Sequence, residues 1–420
     1  MKVEAGVRLS TFMLNRKNTY QKTDQPYRAE VIMNKAVNCI FCGKKPEDKT
    51  KEHIIPQWLI KKTGDKKRKA FFGMPLLEYD KNGSLTRINM PDINVAKEKG
   101  RVFSFDQFTF PACKQCNNDY SKLEADVLDV YNKLSRNESI NRDEIDLLLD
   151  WIDKVRVGLW LVFHRLDKNI AEIEPNFAIS ERMGCYDRIL MVKRFKNQPE
   201  GLNFIGCESY AFAIMPSAFC LRINNIYLMS VSSMFLVSKG LGFPYIDSMK
   251  LDKNSDLLNL SLSEGTNNIA PPIINRSVWG DSTCIIQPMF KNSLTKNYTG
   301  EIYNNDYIIE NSLNYKDGKG SIFIIKNNND IIKMKDDDEL SFPLSKESKD
   351  PYHDLLKTHI EILNWQSLLI DDTVNKLDLE LLTEDRRKYF NEKYASAKLI
   401  NNALIKHTQE SLYQDLMIFR

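Results

Sequence analysis

Two Cys-x-x-Cys pairs, Cys39/Cys42 and Cys113/Cys116, constrain this chain more than any other feature. Four thiolates are the number that a closed tetrahedral zinc site requires, and Zn–S bonds of about 2.3 Å would pin the two knuckles together. The long stretch between them then folds as a loop closed by metal, and structural zinc becomes part of the folding free energy. The other cysteines, Cys185, Cys207, Cys220 and Cys284, stand singly among apolar residues and read as small buried hydrophobes.

Between the knuckles runs Lys51-Glu52-His53-Ile54-Ile55-Pro56, and the second knuckle leads straight into Asn117-Asn118. A neutral imidazole at His53 can take a proton from water near neutral pH. Glu52 offers hard carboxylate oxygens suited to Mg²⁺ or Mn²⁺. Asn117 opens a helix, whose positive end favours a nearby phosphate. In an extended 51–55 segment Glu52 and His53 point to opposite faces. Both serve one phosphate only where the strand twists or ends, and Pro56 is consistent with that ending.

With Cys-x-x-Cys, Glu-His-Ile-Ile-Pro and Cys-x-x-Cys-Asn in this order, residues 36–124 resemble the HNH endonucleases in their zinc-binding form. The resemblance implies a ββα-metal fold in which Cys39, Cys42, Cys113 and Cys116 hold structural zinc. It implies His53 as the general base of phosphodiester hydrolysis, with Glu52 and Asn117 holding a catalytic Mg²⁺ or Mn²⁺. Asn118 is the alternative helix ligand, and Asn117, Ser121 and Glu124 share roughly one helix face. DNA is the favoured substrate, in a prokaryotic restriction or phage-defence setting. Two places depart from the family pattern. Asp106-Gln107 stands where an Asn often orients the base, and no His follows Cys116 before His164.

Charge agrees with a polyanionic substrate. Residues 1–120 carry 23 Lys+Arg against 13 Asp+Glu, while the remainder carries 36 against 43. A basic surface beside a site gathers phosphates through counterion release. Lys61, Lys62, Lys66, Lys67, Arg68 and Lys69 form a basic loop that would contact substrate. The competing expectation is a zinc-dependent module that binds nucleic acid or protein without catalysis.

The 420 residues exceed one ordinary core. The expected class is α+β. An arm over 1–35 packs on the first domain, and the HNH module with its four-cysteine site occupies 36–135. A helical connector follows over 136–169, starting near Asn141 with Glu144 as its capping-box partner. Residues 170–345 form a β-rich domain with strand candidates at 189–192, 204–207, 210–214, 219–231, 284–289 and 322–326. Asn224-Asn225 reads as a tight hairpin turn and Asn327-Asn328-Asn329 as a second turn. Stretches 251–280 and 291–320 read as long loops. A helical region over 346–420 would regulate the module, dock a protein partner or self-associate. His353 and His359 lie six apart and receive no ligand role. Charges interrupt every apolar run, so no membrane span is expected. Met1 to Tyr20 lacks a signal-peptide core, which makes the cytoplasm the expected compartment.

Overall fold

The computed structural model describes residues 38–64, 109–166, 171, 178–184, 186–233, 282–288, 322–325, 331–345, 350–377 and 383–418. Elsewhere it describes the backbone of short strands. The chain is α+β. In order the elements are β1 (Glu4–Arg8), β2 (Lys49–His53), α1 (Gln57–Lys62), β3 (Lys69–Phe71), β4 (Leu76–Tyr79), β5 (Leu85–Asn89), β6 (Val102–Ser104) and β7 (Thr109–Cys113). Then come α2 (Lys114–Arg136), β8 (Ile140–Asn141), α3 (Arg142–Leu166), α4 (Ile179–Arg182), β9 (Asp187–Arg194), β10 (Leu202–Ile205), α5 (Tyr210–Ile214), β11 (Ala218–Ile223) and β12 (Ile226–Ser233). The rest are β13 (Tyr245–Leu251), β14 (Leu257–Ser263), β15 (Thr283–Gln287), β16 (Ser312–Asn314), β17 (Lys319–Gly320), β18 (Phe323–Ile325), β19 (Ile331–Lys333), β20 (Glu339–Leu340), α6 (Pro351–Lys376) and α7 (Glu384–Ile418).

The first unit is an antiparallel ribbon, β2 with β7, followed without a break by α2. Val127, Val130, Tyr131 and Leu134 recur on one face of α2 and bury against α3, the period expected of an amphipathic helix. Asn137 ends α2 in the left-handed conformation that asparagine tolerates at this cap position. The predicted capping box then starts α3. Asn141 N–H donates to Glu144 Oε2 at 2.9 Å, and Glu144 N–H donates to Asn141 Oδ1 at 3.0 Å.

A seven-stranded antiparallel sheet forms the second layer, in the order β10-β11-β12-β9-β15-β18-β19. β9, β11 and β12 are buried at every residue, so both faces of the sheet centre are covered. α3 reaches β12, while α6 lies against β10, β11 and β12 and packs on α7. Ile223 pairs with Ile226 around Asn224-Asn225, and Asn224 takes φ 53°, which confirms the expected two-residue turn. β18 and β19 pair as the second expected turn requires, although residues 327–329 themselves lie outside the described residues. One apolar core runs without interruption from Cys39 through α2, α3 and the sheet to Leu404. Cys207, Cys220 and Cys284 are buried in the sheet layer as expected, and Cys185 lies outside the described residues.

Two expectations are corrected. Tyr210–Ile214 is a helix: Ser209 caps it by accepting from Phe212 N–H at 3.0 Å, and a short apolar run carries no period to separate helix from strand. Residues 257–263, read as loop, form β14, which pairs with β13. Of the expected arm, Glu4–Arg8 is described and pairs with β14, and the rest of 1–35 lies outside the described residues. Among the described residues no helix is long and apolar enough to cross a membrane.

Candidate metal centre and the Glu52–His53 strand

The first knuckle is a tight turn. Gly43 N–H donates to Cys39 C=O at 2.9 Å, and Gly43 takes φ 72°, a conformation in which a side chain would be strained. Ile40 N–H donates to Pro111 C=O at 2.9 Å, which ties this turn to β7. The same turn presents carbonyls to α4: Ile179 N–H donates to Ile40 C=O and Ser180 N–H to Phe41 C=O. The second knuckle straddles the end of β7 and the first turn of α2, and Cys113 sulfur accepts from the Cys116 backbone N–H. That bond holds the Cys113 thiol below its ordinary pKa.

These contacts bring the sulfurs of Cys39, Cys42, Cys113 and Cys116 within 4.8 Å of one another. Cys42 Sγ and Cys113 Sγ are 4.0 Å apart. A tetrahedron with Zn–S bonds of about 2.3 Å has edges of about 3.8 Å, so the four thiols fit a zinc ion.

The ribbon places the other residues. Register pairs Lys49 with Cys113, Glu52 with Phe110 and His53 with Thr109. Exposure alternates along β2, with Lys49 and Lys51 exposed, Glu52 buried and His53 half-buried. Successive strand residues face opposite ways, so His53 shares the outward face with Lys49 and Lys51. Glu52 and Thr50 take the inward face, where Thr50 Oγ1 donates to Ala112 C=O at 3.0 Å.

Inward, Glu52 meets α3. Lys154 Nζ donates to Glu52 Oε1 at 2.8 Å and also to Glu124 Oε1 of α2. Lys154 has 0% and Glu52 6% of its side chain exposed. Burial raises the Glu52 carboxyl above its usual range against the pull of Lys154, and pushes Glu124 up to about 7. Phe41 and Tyr120 stack at 3.8 Å, with Lys154 Nζ 5.5 and 5.7 Å from their ring centres.

The residues expected to hold a catalytic Mg²⁺ or Mn²⁺ do not fit that ion. A hydrated divalent ion keeps several waters and needs an open face, whereas Glu52 is enclosed and one of its oxygens already bonds an ammonium. The helix residue that shares a partner with Glu52 is Glu124. Asn117, half-buried in the first turn of α2, lies seven residues nearer the knuckle, about 10 Å of helix rise. Asn118 and Ser121 are exposed. Of the basic loop, Lys61 and Lys62 are exposed at the end of α1. Lys66, Lys67 and Arg68 lie outside the described residues, and Lys69 is described only as backbone of β3. His164 bonds Ala213 C=O at 2.7 Å inside the core, a structural contact.

Sequence reasoning did not find Lys154 or Lys49 and Lys51 as members of the site. Strand alternation was the available signal for the two exposed lysines. It also left His359 unassigned, and its Nε2 stands 2.6 Å from Glu208 Oε1 between α6 and the sheet layer.

Compared with known proteins, the chain matches no family model, no curated protein and no solved structure.

Proposed function

We propose that the chain is a zinc-stapled HNH-type endonuclease that hydrolyses phosphodiester bonds, with DNA the favoured substrate. One observation carries the reading. The Glu52-His53 strand pairs with the strand that runs into the second knuckle, and a helix follows at once, giving the ββα order with four sulfurs gathered at its base. In this reading zinc on Cys39, Cys42, Cys113 and Cys116 is structural. His53 takes a proton from water, and the hydroxide oxygen bonds phosphorus as the P–O3′ bond breaks. The 3′ oxygen leaves with a proton from solvent. Lys49 and Lys51, on the His53 face, hold flanking phosphates, with Lys61 and Lys62 nearby in sequence. In this proposal residues 346–420 regulate the module or dock a partner, in a restriction or phage-defence setting.

A second reading, a zinc-dependent binding module without catalysis, is favoured by the Lys154–Glu52 contact, since it withdraws the acid that the resemblance assigns to a metal. Purified full-length chain and its His53→Ala variant, each with Mg²⁺ or Mn²⁺ added and omitted, separate the two. Cleavage of plasmid or single-stranded DNA by wild type, lost in the variant, supports the nuclease. Salt-sensitive DNA binding by both proteins without cleavage under any metal supports the binding module.

A further inference from the structure

Glu52 comes from β2 and Glu124 from α2, so the strand and the helix of the ββα unit each bring a carboxylate oxygen to one point. Two hard oxygens converging from those elements would suit a divalent cation. The ammonium of Lys154 stands at that point instead, delivered by α3, which lies outside the unit. Lys154 is fully enclosed, and the stacked rings of Phe41 and Tyr120 lie beside its charge, their centres 5.5 and 5.7 Å from Nζ. Phe41 belongs to the first knuckle and Tyr120 to the helix after the second, so the cation lies against the first knuckle, the β2 strand and the helix together. An ammonium is a compact charge with three donors, and two of its bonds go to the two carboxylates.

We infer that Lys154 is a built-in counter-cation that takes the place of a divalent ion between Glu52 and Glu124. Glu52 is then a positioning residue, which fixes the strand bearing His53 by pairing with Lys154, and not a metal ligand. The inference borrows the HNH-type reading only for the comparison with a metal site; the triad itself does not depend on it.

Mn²⁺ binding to the zinc-loaded full-length chain tests this, read by electron paramagnetic resonance and by the shift of melting temperature with Mn²⁺. Glu52→Gln should bind Mn²⁺ within threefold of wild type. Lys154→Met, which leaves two carboxylates without their cation, should gain at least tenfold in Mn²⁺ affinity, and its melting temperature alone should rise with Mn²⁺. A loss of more than threefold in Glu52→Gln overturns the inference, as does a folded Lys154→Met with no gain. If Lys154→Met does not fold, the Glu52→Gln comparison decides by the same threshold. Absence of DNA cleavage by wild type would sink the nuclease reading and leave these outcomes untouched.

Discussion

Gly158 of α3 lies directly against Ile54, the residue after His53, and a Cβ added to the glycine would stand 2.7 Å from Ile54 Cγ2. Trp151, Lys154 and Gly158 follow one another at helical spacing, so a single face of α3 receives the ββα unit. Trp151 packs near Trp58 of α1 at 5.8 Å, Lys154 bonds Glu52 and Glu124, and Gly158 admits Ile54.

Gly158→Ala tests how tightly that face is fitted. Alanine gains about 1 kcal/mol of helix propensity over glycine. Overpacking a closed core costs about 1–3 kcal/mol, and Ile54 is fully buried with Ile179 also close to the glycine. With a 2.7 Å approach to an enclosed side chain the clash outweighs the propensity gain, and the expected net loss is up to about 2 kcal/mol. In an Ile54→Ala background the same substitution should become neutral or stabilising, because the offending methyl is gone. Thermal melts of the four proteins by circular dichroism read the cycle; an equal loss in both backgrounds would show that Ile54 is not the obstacle.

Zinc removal should act on the core and not only on the surface. Cys39, Ile40 and Phe41 are buried in the shared apolar core, so loosening the first knuckle opens that core. Cys113→Ser is expected to drop bound zinc from one ion per chain to less than a tenth of that. The stability loss should be roughly 3–5 kcal/mol, in the range of losing a native cross-link. Metal analysis with denaturant melts measures both. Stoichiometric zinc retained by the variant would remove Cys113 from the site.

The exposed face of β2 gives a quantitative expectation for nucleic acid. On duplex DNA, each phosphate that a lysine neutralises steepens the fall of log affinity with log salt by about 0.9. Under the proposed function, Lys49→Ala with Lys51→Ala should therefore flatten that slope by about 2 and weaken binding at low salt, with zinc content unchanged. Fluorescence anisotropy over a salt series reads this. An unaltered slope would place the phosphate-binding lysines elsewhere, with the Lys61–Lys69 stretch the next to vary.

The knuckles, the extended segment at Glu52-His53 and the capping box were legible because their signals are local: matched cysteine spacing, a short run ended by Pro56, and Asn141 three residues before Glu144. Lys154 was not, since its partner Glu52 lies 102 residues away and in α3 the lysine is one of several charges, between Asp153 and Arg156, with nothing local to single it out. Sequence position suggested Asn117 as the helix residue of the site because it follows the knuckle. The rise of the helix along the ribbon carries Glu124 to Glu52 instead, and only the packing of α2 on β2 reveals that. Tyr210–Ile214 failed for another reason: the bond that makes it a helix comes from Ser209, outside the apolar run.

Outside the ββα unit, Glu361 of α6 supplies a pH dependence. It is buried, and loss of hydration pushes its carboxyl up to about 7 from an ordinary value of 4.5, with only a partial offset from a hydrogen bond involving Trp365. A carboxyl raised on folding favours the native state while protonated. That contribution is complete below about 4.5 and is lost as pH rises through about 7. Its ceiling is on the order of 3 kcal/mol, before any discount for residual solvent contact. Glu361→Gln mimics the protonated form at every pH. Between pH 5 and 8 the wild type should therefore lose stability relative to this variant, the gap opening mainly between about pH 5 and 7, where the unfolded chain has lost the proton and the folded chain still holds it, and levelling off above that. Denaturant melts of both proteins across that range measure the gap, and a constant difference would show that Glu361 keeps its charge when folded.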